Sequence, residues 1–197
     1  MKRVAERIGI FGGTFDPPHN GHVAVATDVA DALDLDRLLW IPARRSPLKA
    51  QAPDTPDRVR VEMVRSAAAA DRRFVVDTRE LERPPPSYTV DTLEALHAES
   101  GDEAELFLIL GIDQYADFDR WRNPARVREL ATVVVIDREG RGVPEAEAAA
   151  HTVRTVPVRR VDVSATDIRA SAAAGASVSD RVPAKVAQII ERERLYR

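Results

Sequence analysis

Residues 12–22 carry the densest set of groups that could do chemistry, and they read GGTFDPPHNGH. An apolar run at 8–11 precedes them, and a run that can form a helix starts at Val23. A glycine-rich turn between a strand and a helix brings backbone N–H groups close to a bound anion. His19 and His22 then open the helix, where each can point a ring N–H at the same anion. The stretch therefore predicts a phosphate site that carries chemistry, rather than a tight turn with surface histidines.

Residues 163–169, which read VSATDIR, predict a second anion site. Ser164 can cap the helix that starts there, and this leaves the first N–H groups of the helix directed outward. Thr166 lies in the first turn and Arg169 in the second, where the guanidinium can fork onto phosphate oxygens. A capping box between Ser164 and Asp167 is the structural alternative. The two interpretations are compatible, because a capped helix start still binds anions.

Basic and aromatic residues follow two of the predicted strands. Arg44, Arg45 and Lys49 fall in the loop after the second strand, as either a solvated basic loop or a clamp for phosphates. Trp121 comes after a charged stretch at 117–120, which argues against a simple place in the core, although the ring could still close over it.

The histidines predict no protein-held metal, since no third ligand accompanies His19 and His22. Any Mg²⁺ would be held mostly by phosphate oxygens and water, with Asp16 as an assisting group.

Composition bounds the class of protein. The chain has 197 residues, 29 basic and 32 acidic side chains, a net charge of −3 and no cysteine. This balance argues against a protein that coats nucleic acid, and it excludes disulfides and thiolate metal sites. No signal peptide and no run of 18 apolar residues is present, so we expect a cytoplasmic enzyme without a membrane span. A homo-oligomer is left open.

Strand and helix patterns alternate along the chain. The predicted strands cover 7–11, 37–41, 73–77, 105–110, 131–136 and 152–158. The predicted helices cover 20–33, 55–70 with Thr55 as a cap, from a cap at Ser87 or Thr89 to 99, 124–130, 165–174 and 183–194. A mobile surface segment is expected over 137–150.

Such alternation predicts an α/β fold, in which a doubly wound, mainly parallel sheet carries helices on both faces. We expect a single domain over 1–197. Sites in these sheets lie at the carboxyl ends of the strands. The loops at 12–19, 42–54, 78–88 and 111–123 should therefore face one crevice.

These motifs resemble a known family. Residues 12–22 are similar to the signature of the nucleotidyltransferase superfamily with the His-x-Gly-His motif, and within it to that of bacterial nicotinate-mononucleotide adenylyltransferases. Residues 163–169 resemble the second signature of that superfamily, Ser-x-Thr-x-x-Arg. The resemblance extends to the remaining landmarks, which are the basic loop at 41–49, the pyridine-nucleotide loop at 86–93, residues 111–113 with Trp121, and the chain end at 182–196.

The resemblance implies a Rossmann-like fold and a reaction in NAD biosynthesis. ATP and nicotinate mononucleotide would give deamido-NAD and pyrophosphate, by in-line attack without a covalent enzyme intermediate and with Mg²⁺ on the ATP phosphates. The implied catalytic residues are His22 at the α-phosphate, His19 on the ATP phosphates, and Lys49 and Arg169 along the phosphate chain. The implied ATP contacts are Gly12, Gly13, Thr14, Phe15, His19, His22, Gly111, Asp113, Ser164, Thr166 and Arg169. The implied nicotinate mononucleotide contacts are Thr14, Phe15, Arg45, Lys49, Ser87, Tyr88, Thr89 and Trp121.

Two other functions are weighed against this one. Another adenylyl- or cytidylyltransferase, such as the phosphopantetheine enzyme, is disfavoured by residues 86–93 and Trp121. A nucleotide sensor without turnover is disfavoured because both histidines and the second signature are intact.

Overall fold

A parallel sheet forms the centre of the computed structural model, which describes residues 5–44, 53–137, 143 and 153–197. Its strands are β1 (Glu6–Gly13), β2 (Arg37–Pro42), β3 (Phe74–Val76), β4 (Ala104–Gly111), β5 (Thr132–Asp137) and β6 (Val153–Pro157). They lie in the order β3-β2-β1-β4-β5-β6, and every pairing among them is parallel. The predicted α/β fold with a mainly parallel sheet is confirmed. Each predicted strand is present with its ends within two residues of the prediction.

Helices surround the sheet. They are α1 (Asn20–Ala32), α2 (Asp57–Ala68), α3 (Arg79–Glu82), α4 (Thr89–Ser100), α5 (Ile112–Ala116), α6 (Pro124–Leu130), α7 (Ala165–Ala173) and α8 (Ala184–Arg192). The sequence pattern missed α3 and α5, which are too short to show a helical period. Among the residues that the structure describes, no helix has the length and apolar character needed to cross a bilayer. The single-domain interpretation stays a prediction.

Successive side chains of a strand point to opposite faces of the sheet. Helices pack on both faces, so both sets of side chains are buried. In β2, Leu38 and Trp40 join one core with α1, α2 and α8, whereas Leu39 and Ile41 join the other with α4 and α6. Burial on both sides explains why β2 and β4 read as nearly continuous apolar runs.

The strand order reverses beside β1, which pairs with β2 on one side and with β4 on the other. The chain winds outward in opposite directions from this point, so a crevice opens between the loops that follow β1 and β4. The register sets Gly13 at the end of β1 level with Pro42 at the end of β2.

Two predicted helix caps are wrong, and tertiary partners explain both. The residue before α2 is Pro56, and the Thr55 hydroxyl instead donates to Asp16 Oδ1 at 2.5 Å. The residue before α4 is Tyr88, without a side-chain cap, and the Ser87 hydroxyl oxygen accepts the Arg44 backbone N–H at 3.3 Å. The predicted Ser164 cap of α7 is confirmed, because its Oγ accepts the Asp167 N–H at 3.1 Å.

The chain end returns to the loop after β1. The Tyr196 hydroxyl donates to Asp16 Oδ1 at 2.6 Å, the oxygen that Thr55 also contacts. Asp16 is 4% exposed. Burial, together with the nearby carboxylate, raises the pKa of Tyr196 well above its ordinary value, so the phenol keeps the proton that it donates.

Replacing Tyr196 by Phe should lower the free energy of unfolding by about 1–3 kcal/mol, because a buried carboxylate loses a donor. Urea denaturation at neutral pH measures the change. Thr55→Ser keeps its hydroxyl and serves as the control, with stability close to that of the original chain. Equal stability of the Tyr196 variant and the original chain would contradict a role for this bond.

Candidate active site

A cavity of about 380 Å³ lies at the carboxyl ends of the strands. Residues from each of the loops that were expected to share a crevice line it, which confirms that expectation. These residues are Gly12 and Gly13 at the end of β1 with Thr14 after it, Ala43 after β2, Glu80, Ser87, Tyr88 and Thr89 between β3 and β4, and Gly111 at the end of β4 with Gln114, Arg120, Trp121 and Arg122 after it.

The glycines at the end of β1 differ in their surroundings. A Cβ on Gly12 would meet nothing within 4 Å, since this residue faces open space. A Cβ on Gly13 would lie 2.9–3.1 Å from three ring atoms of Phe15. Gly13 therefore lets the loop fold back over a buried aromatic ring, and Gly12 leaves room in the cavity.

Phe15 points into the core. Its side chain is 2% exposed, with ring centroids 5.2 Å from Trp40 and 5.6 Å from Phe11, and it is absent from the cavity wall. The residue has a φ of 48°, a left-handed conformation that is uncommon for a side chain of this size. The Phe15 ring therefore belongs to the core, and its predicted contacts with ATP and the mononucleotide stay predictions.

The two histidines of the motif stack on each other. Their ring centroids are 3.7 Å apart at an interplanar angle of 27°. His19 is 4% exposed and lies outside the cavity wall, whereas His22 is half-buried and lines the cavity. The pair is therefore unequal: His22 faces the crevice, and His19 supports its ring from behind.

Hydrogen bonding fixes the tautomer of His22. Its Nδ1 accepts the backbone N–H of His19 at 3.2 Å. In the neutral ring the proton then sits on Nε2, which becomes the donor. The Phe15 ring packs against His22 nearly edge-on, with centroids 5.1 Å apart. The imidazole is thus oriented before any ligand binds.

The second signature lies against the first. A Cβ on Gly21 would lie 3.0 Å from Val163 Cγ1, so the segment before α7 packs on the start of α1. Arg169 Nη1 donates to the Asp16 carbonyl at 2.8 Å, and Nη2 lies 3.5 Å from Thr166 Oγ1. Ser164, Thr166 and Arg169 are absent from the cavity wall, and their contact with phosphates stays a prediction.

Ser87, Tyr88 and Thr89, from the segment at 86–93 that resembles a pyridine-nucleotide loop, line the same cavity as His22 and Trp121. The Trp121 ring rests on Phe118, with centroids 5.2 Å apart. The Arg122 guanidinium lies 4.7 Å from the centre of the Tyr88 ring. The helix α4 begins at Thr89, and none of its first N–H groups is bonded to a capping side chain.

Several residues of the cavity wall are absent from the predicted site, and Glu80 and Gln114 are two with polar side chains that form hydrogen bonds within the protein. Glu80 is 9% exposed and accepts the Thr92 hydroxyl at 2.9 Å; burial raises the pKa of its carboxyl group, although this bond opposes the shift. Gln114 lines the cavity where the resemblance implied Asp113, and its Oε1 accepts the Gly111 N–H at 3.1 Å. Asp113 is exposed and outside the wall. Glu80 could have been predicted as a site residue from its position, because it is an acidic residue soon after the third predicted strand.

The remaining predicted groups fall into two sets. Arg45 and Lys49, predicted to contact phosphates, lie outside the described residues, as does most of the predicted surface segment at 137–150. In the ranges that the structure describes, no group of three or more His, Asp or Glu side chains could hold a metal ion. Two hydroxyl groups contact the Asp16 carboxylate, which was the expected assistant for Mg²⁺.

Comparison with known proteins gives a consistent family. Residues 10–171 match the family described as cytidylyltransferase-like. A Roseiflexus sp. protein named "probable nicotinate-nucleotide adenylyltransferase" is 42% identical over 96% of this chain and 98% of its own length. A Thermus thermophilus protein of the same name is 44% identical over 97% of this chain and 100% of its own length.

A solved structure matches the fold. The nicotinic acid mononucleotide adenylyltransferase of Plasmodium falciparum, complexed with NaAD, superposes with a TM-score of 0.79. The match covers 97% of both chains at 16% sequence identity, which supports the fold alone.

Gly13→Ala should lower the free energy of unfolding by about 1–3 kcal/mol, because the new methyl group overlaps the buried Phe15 ring. Gly12→Ala is the matched control on the neighbouring residue, and its stability should stay within about 0.5 kcal/mol, since its methyl group meets no atom. Chemical denaturation of both variants measures the difference. Equal losses would contradict the role assigned to the Phe15 ring.

Proposed function

We propose an activity for this chain from the premise that it belongs to the cytidylyltransferase-like family, and within it to the nicotinate-nucleotide adenylyltransferases. The chain transfers the adenylyl group of ATP to nicotinate mononucleotide, giving deamido-NAD and pyrophosphate in the cytoplasm. The observation that carries this proposal is one cavity lined both by the glycine loop with His22 and by the pyridine-nucleotide loop with Trp121.

The chemistry is an in-line displacement at phosphorus. A phosphate oxygen of nicotinate mononucleotide forms a bond to the α-phosphorus of ATP, and the bond from that phosphorus to the oxygen bridging to the β-phosphate breaks. Pyrophosphate leaves with the electron pair. The nucleophile is already an anion, so no general base is needed. Catalysis then consists of positioning and charge stabilisation.

His22 is suited to stabilise charge on the α-phosphate. Its Nδ1 is held by the His19 N–H, so Nε2–H is the group that donates to a phosphate oxygen. Stacking on His19 and the edge contact with Phe15 keep the ring in place, so little reorganisation is required in the transition state.

Further cationic groups complete the phosphate side of the proposal. Arg169 lies beside the loop at Asp16 and is assigned to the phosphate chain with Thr166 and the start of α7. Lys49 and Arg45, which follow β2 in the sequence, are assigned to neutralise the same phosphate charge. Mg²⁺ would be held by the oxygens of ATP, where it offsets negative charge on the leaving pyrophosphate.

The pyridine end of the cavity supports an aromatic acid as the second substrate. Trp121 offers a ring on which a pyridine can stack. Tyr88 and Thr89 form the start of α4, whose N–H groups and dipole favour an anion. Arg120 and Arg122 line the same part of the wall, where Arg120 pairs with Asp117 at 2.8 Å and Arg122 lies 3.8 Å from Asp91.

Pyrophosphate release tests the proposal directly. The protein is incubated with ATP, Mg²⁺ and one acceptor: nicotinate mononucleotide, nicotinamide mononucleotide or phosphopantetheine. We expect turnover with the first at the highest kcat/KM. Highest turnover with phosphopantetheine would move the chain to another branch of the superfamily, and binding of ATP without turnover of any acceptor would make it a nucleotide sensor.

Replacing His22 by Ala should lower kcat by about 10²–10³, the range for losing one preorganised donor to developing charge. The KM for ATP should change much less, because many other groups hold the phosphates. His97→Ala removes an exposed histidine of α4 and serves as the control. Steady-state kinetics of the variants decide the matter, and near-normal turnover without His22 would exclude this mechanism.

Nicotinate mononucleotide should be preferred over nicotinamide mononucleotide by at least about tenfold in kcat/KM, or roughly 1.4 kcal/mol. The amide would turn an NH₂ group toward the N–H donors of α4 or leave them without a partner. Stacking on Trp121 holds both rings equally and cannot discriminate. Equal efficiencies with the two mononucleotides would refute the helix-start explanation, even if the adenylyl transfer itself is observed.

A further inference from the structure

Arg60 is a buried cation behind the cavity, and the proposed reaction does not yet use it. It stands on α2 and is 0% exposed. Its Nη1 donates to the carbonyl of Thr14 at 2.7 Å and to the carbonyl of Ala43 at 2.9 Å. Its Nη2 donates to Asp57 Oδ1 at 2.6 Å.

Burying a guanidinium is costly, and this one is only partly compensated. Asp57, its partner in the ion pair, is 41% exposed. Nε of Arg60 is buried and has no hydrogen-bond partner among the described residues. An apolar side chain could fill the same space without that cost, so what distinguishes Arg60 is its hold on two main-chain carbonyls.

Both carbonyls belong to residues of the cavity wall. Thr14 follows β1 and Ala43 follows β2. The Ala43 N–H also donates to the Gly13 carbonyl at 2.9 Å. One guanidinium nitrogen therefore joins two loops where they leave neighbouring strands, and it fixes the distance between them.

The connection continues to the pyridine-nucleotide loop. The residue after Ala43 is Arg44, whose backbone N–H donates to Ser87 Oγ at 3.3 Å. Its Nη1 donates to the Arg83 carbonyl at 3.1 Å. A series of hydrogen bonds thus runs from Arg60 through residues 43 and 44 to the loop assigned to the pyridine ring.

We propose that Arg60 is a positioning residue for adenylyl transfer. By joining the loop after β1 to the loop after β2, it holds the ATP side and the mononucleotide side of the cavity at the separation that attack requires. This inference rests on the proposed function. Loss of the Arg60 guanidinium would misalign the two substrates, although each substrate would still bind.

The test compares Arg60→Lys and Arg60→Met with Arg65→Met, which removes an exposed arginine from the same helix. Lysine keeps the positive charge, but its single nitrogen cannot hold the two carbonyls and Asp57 at the separate positions that Nη1 and Nη2 occupy, and methionine removes the charge as well. We expect kcat per folded protein to fall by about 10- to 100-fold in both Arg60 variants. The KM for each substrate should stay within about threefold of its original value. Arg65→Met should leave both constants unchanged.

A purely structural role predicts a different result. The Arg60 variants would then lose thermal stability, but kcat per folded molecule would match that of the original chain, and this outcome would overturn the proposal. A rise in KM alone would also overturn it, because Arg60 would then act on binding and not on alignment.

Hydrogen exchange of the unliganded protein separates this proposal from the proposed function. In Arg60→Lys the Ala43 amide, which is bonded to the Gly13 carbonyl, should exchange faster, while amides in the centre of α1 keep their protection. Unchanged exchange at Ala43 overturns the positioning role, whichever substrate the protein accepts. If the Arg60 variants do not fold, Asp57→Asn provides the test, because it weakens the ion pair of the same guanidinium from an exposed position. We expect a smaller fall in kcat and a smaller increase in exchange at the Ala43 amide. The absence of both changes overturns the proposal.

Discussion

Parallel register is the constraint from which the rest of the site follows. Gly13 in β1 is level with Pro42 in β2, and Ile10 in β1 is level with Leu108 in β4. Loops that leave these strands start from the same edge of the sheet, and the reversal of strand order beside β1 leaves a crevice between them. The cavity is thus a product of topology, and side chains decide only what it can bind.

The loop after β1 needs more than topology, because it carries polar groups through a buried region. Distant parts of the chain hold it: Arg60 at the Thr14 carbonyl, Arg169 at the Asp16 carbonyl, and Thr55 and Tyr196 at the Asp16 carboxylate. Each bond satisfies a group whose burial would otherwise cost about 1–3 kcal/mol. The loop is therefore fixed mainly by hydrogen bonds, and its shape exists before a ligand arrives.

The sequence predicted those features that depend on residues close together in the chain. Apolar runs marked the strands, and the cap at Ser164 depends on a residue three positions away. The proposed caps at Thr55 and Ser87 failed because Asp16 and the Arg44 amide, both distant in sequence, take those hydroxyl groups. No local pattern shows that Phe15 turns inward. The contacts assigned to Arg45 and Lys49 stay predictions, since these residues lie outside the described ranges.

The two halves of the cavity are built differently, and under the proposed function this would separate catalysis from the choice of acceptor. In the proposed reaction, backbone N–H groups and the oriented His22 would serve any nucleotide whose α-phosphorus is attacked, because they would contact phosphate charge alone. The other half, at Trp121 and the start of α4, is the part that can distinguish one acceptor from another. A shared fold at 16% identity therefore says little about the acceptor, and in the proposed function the side chains of the second half would make that choice.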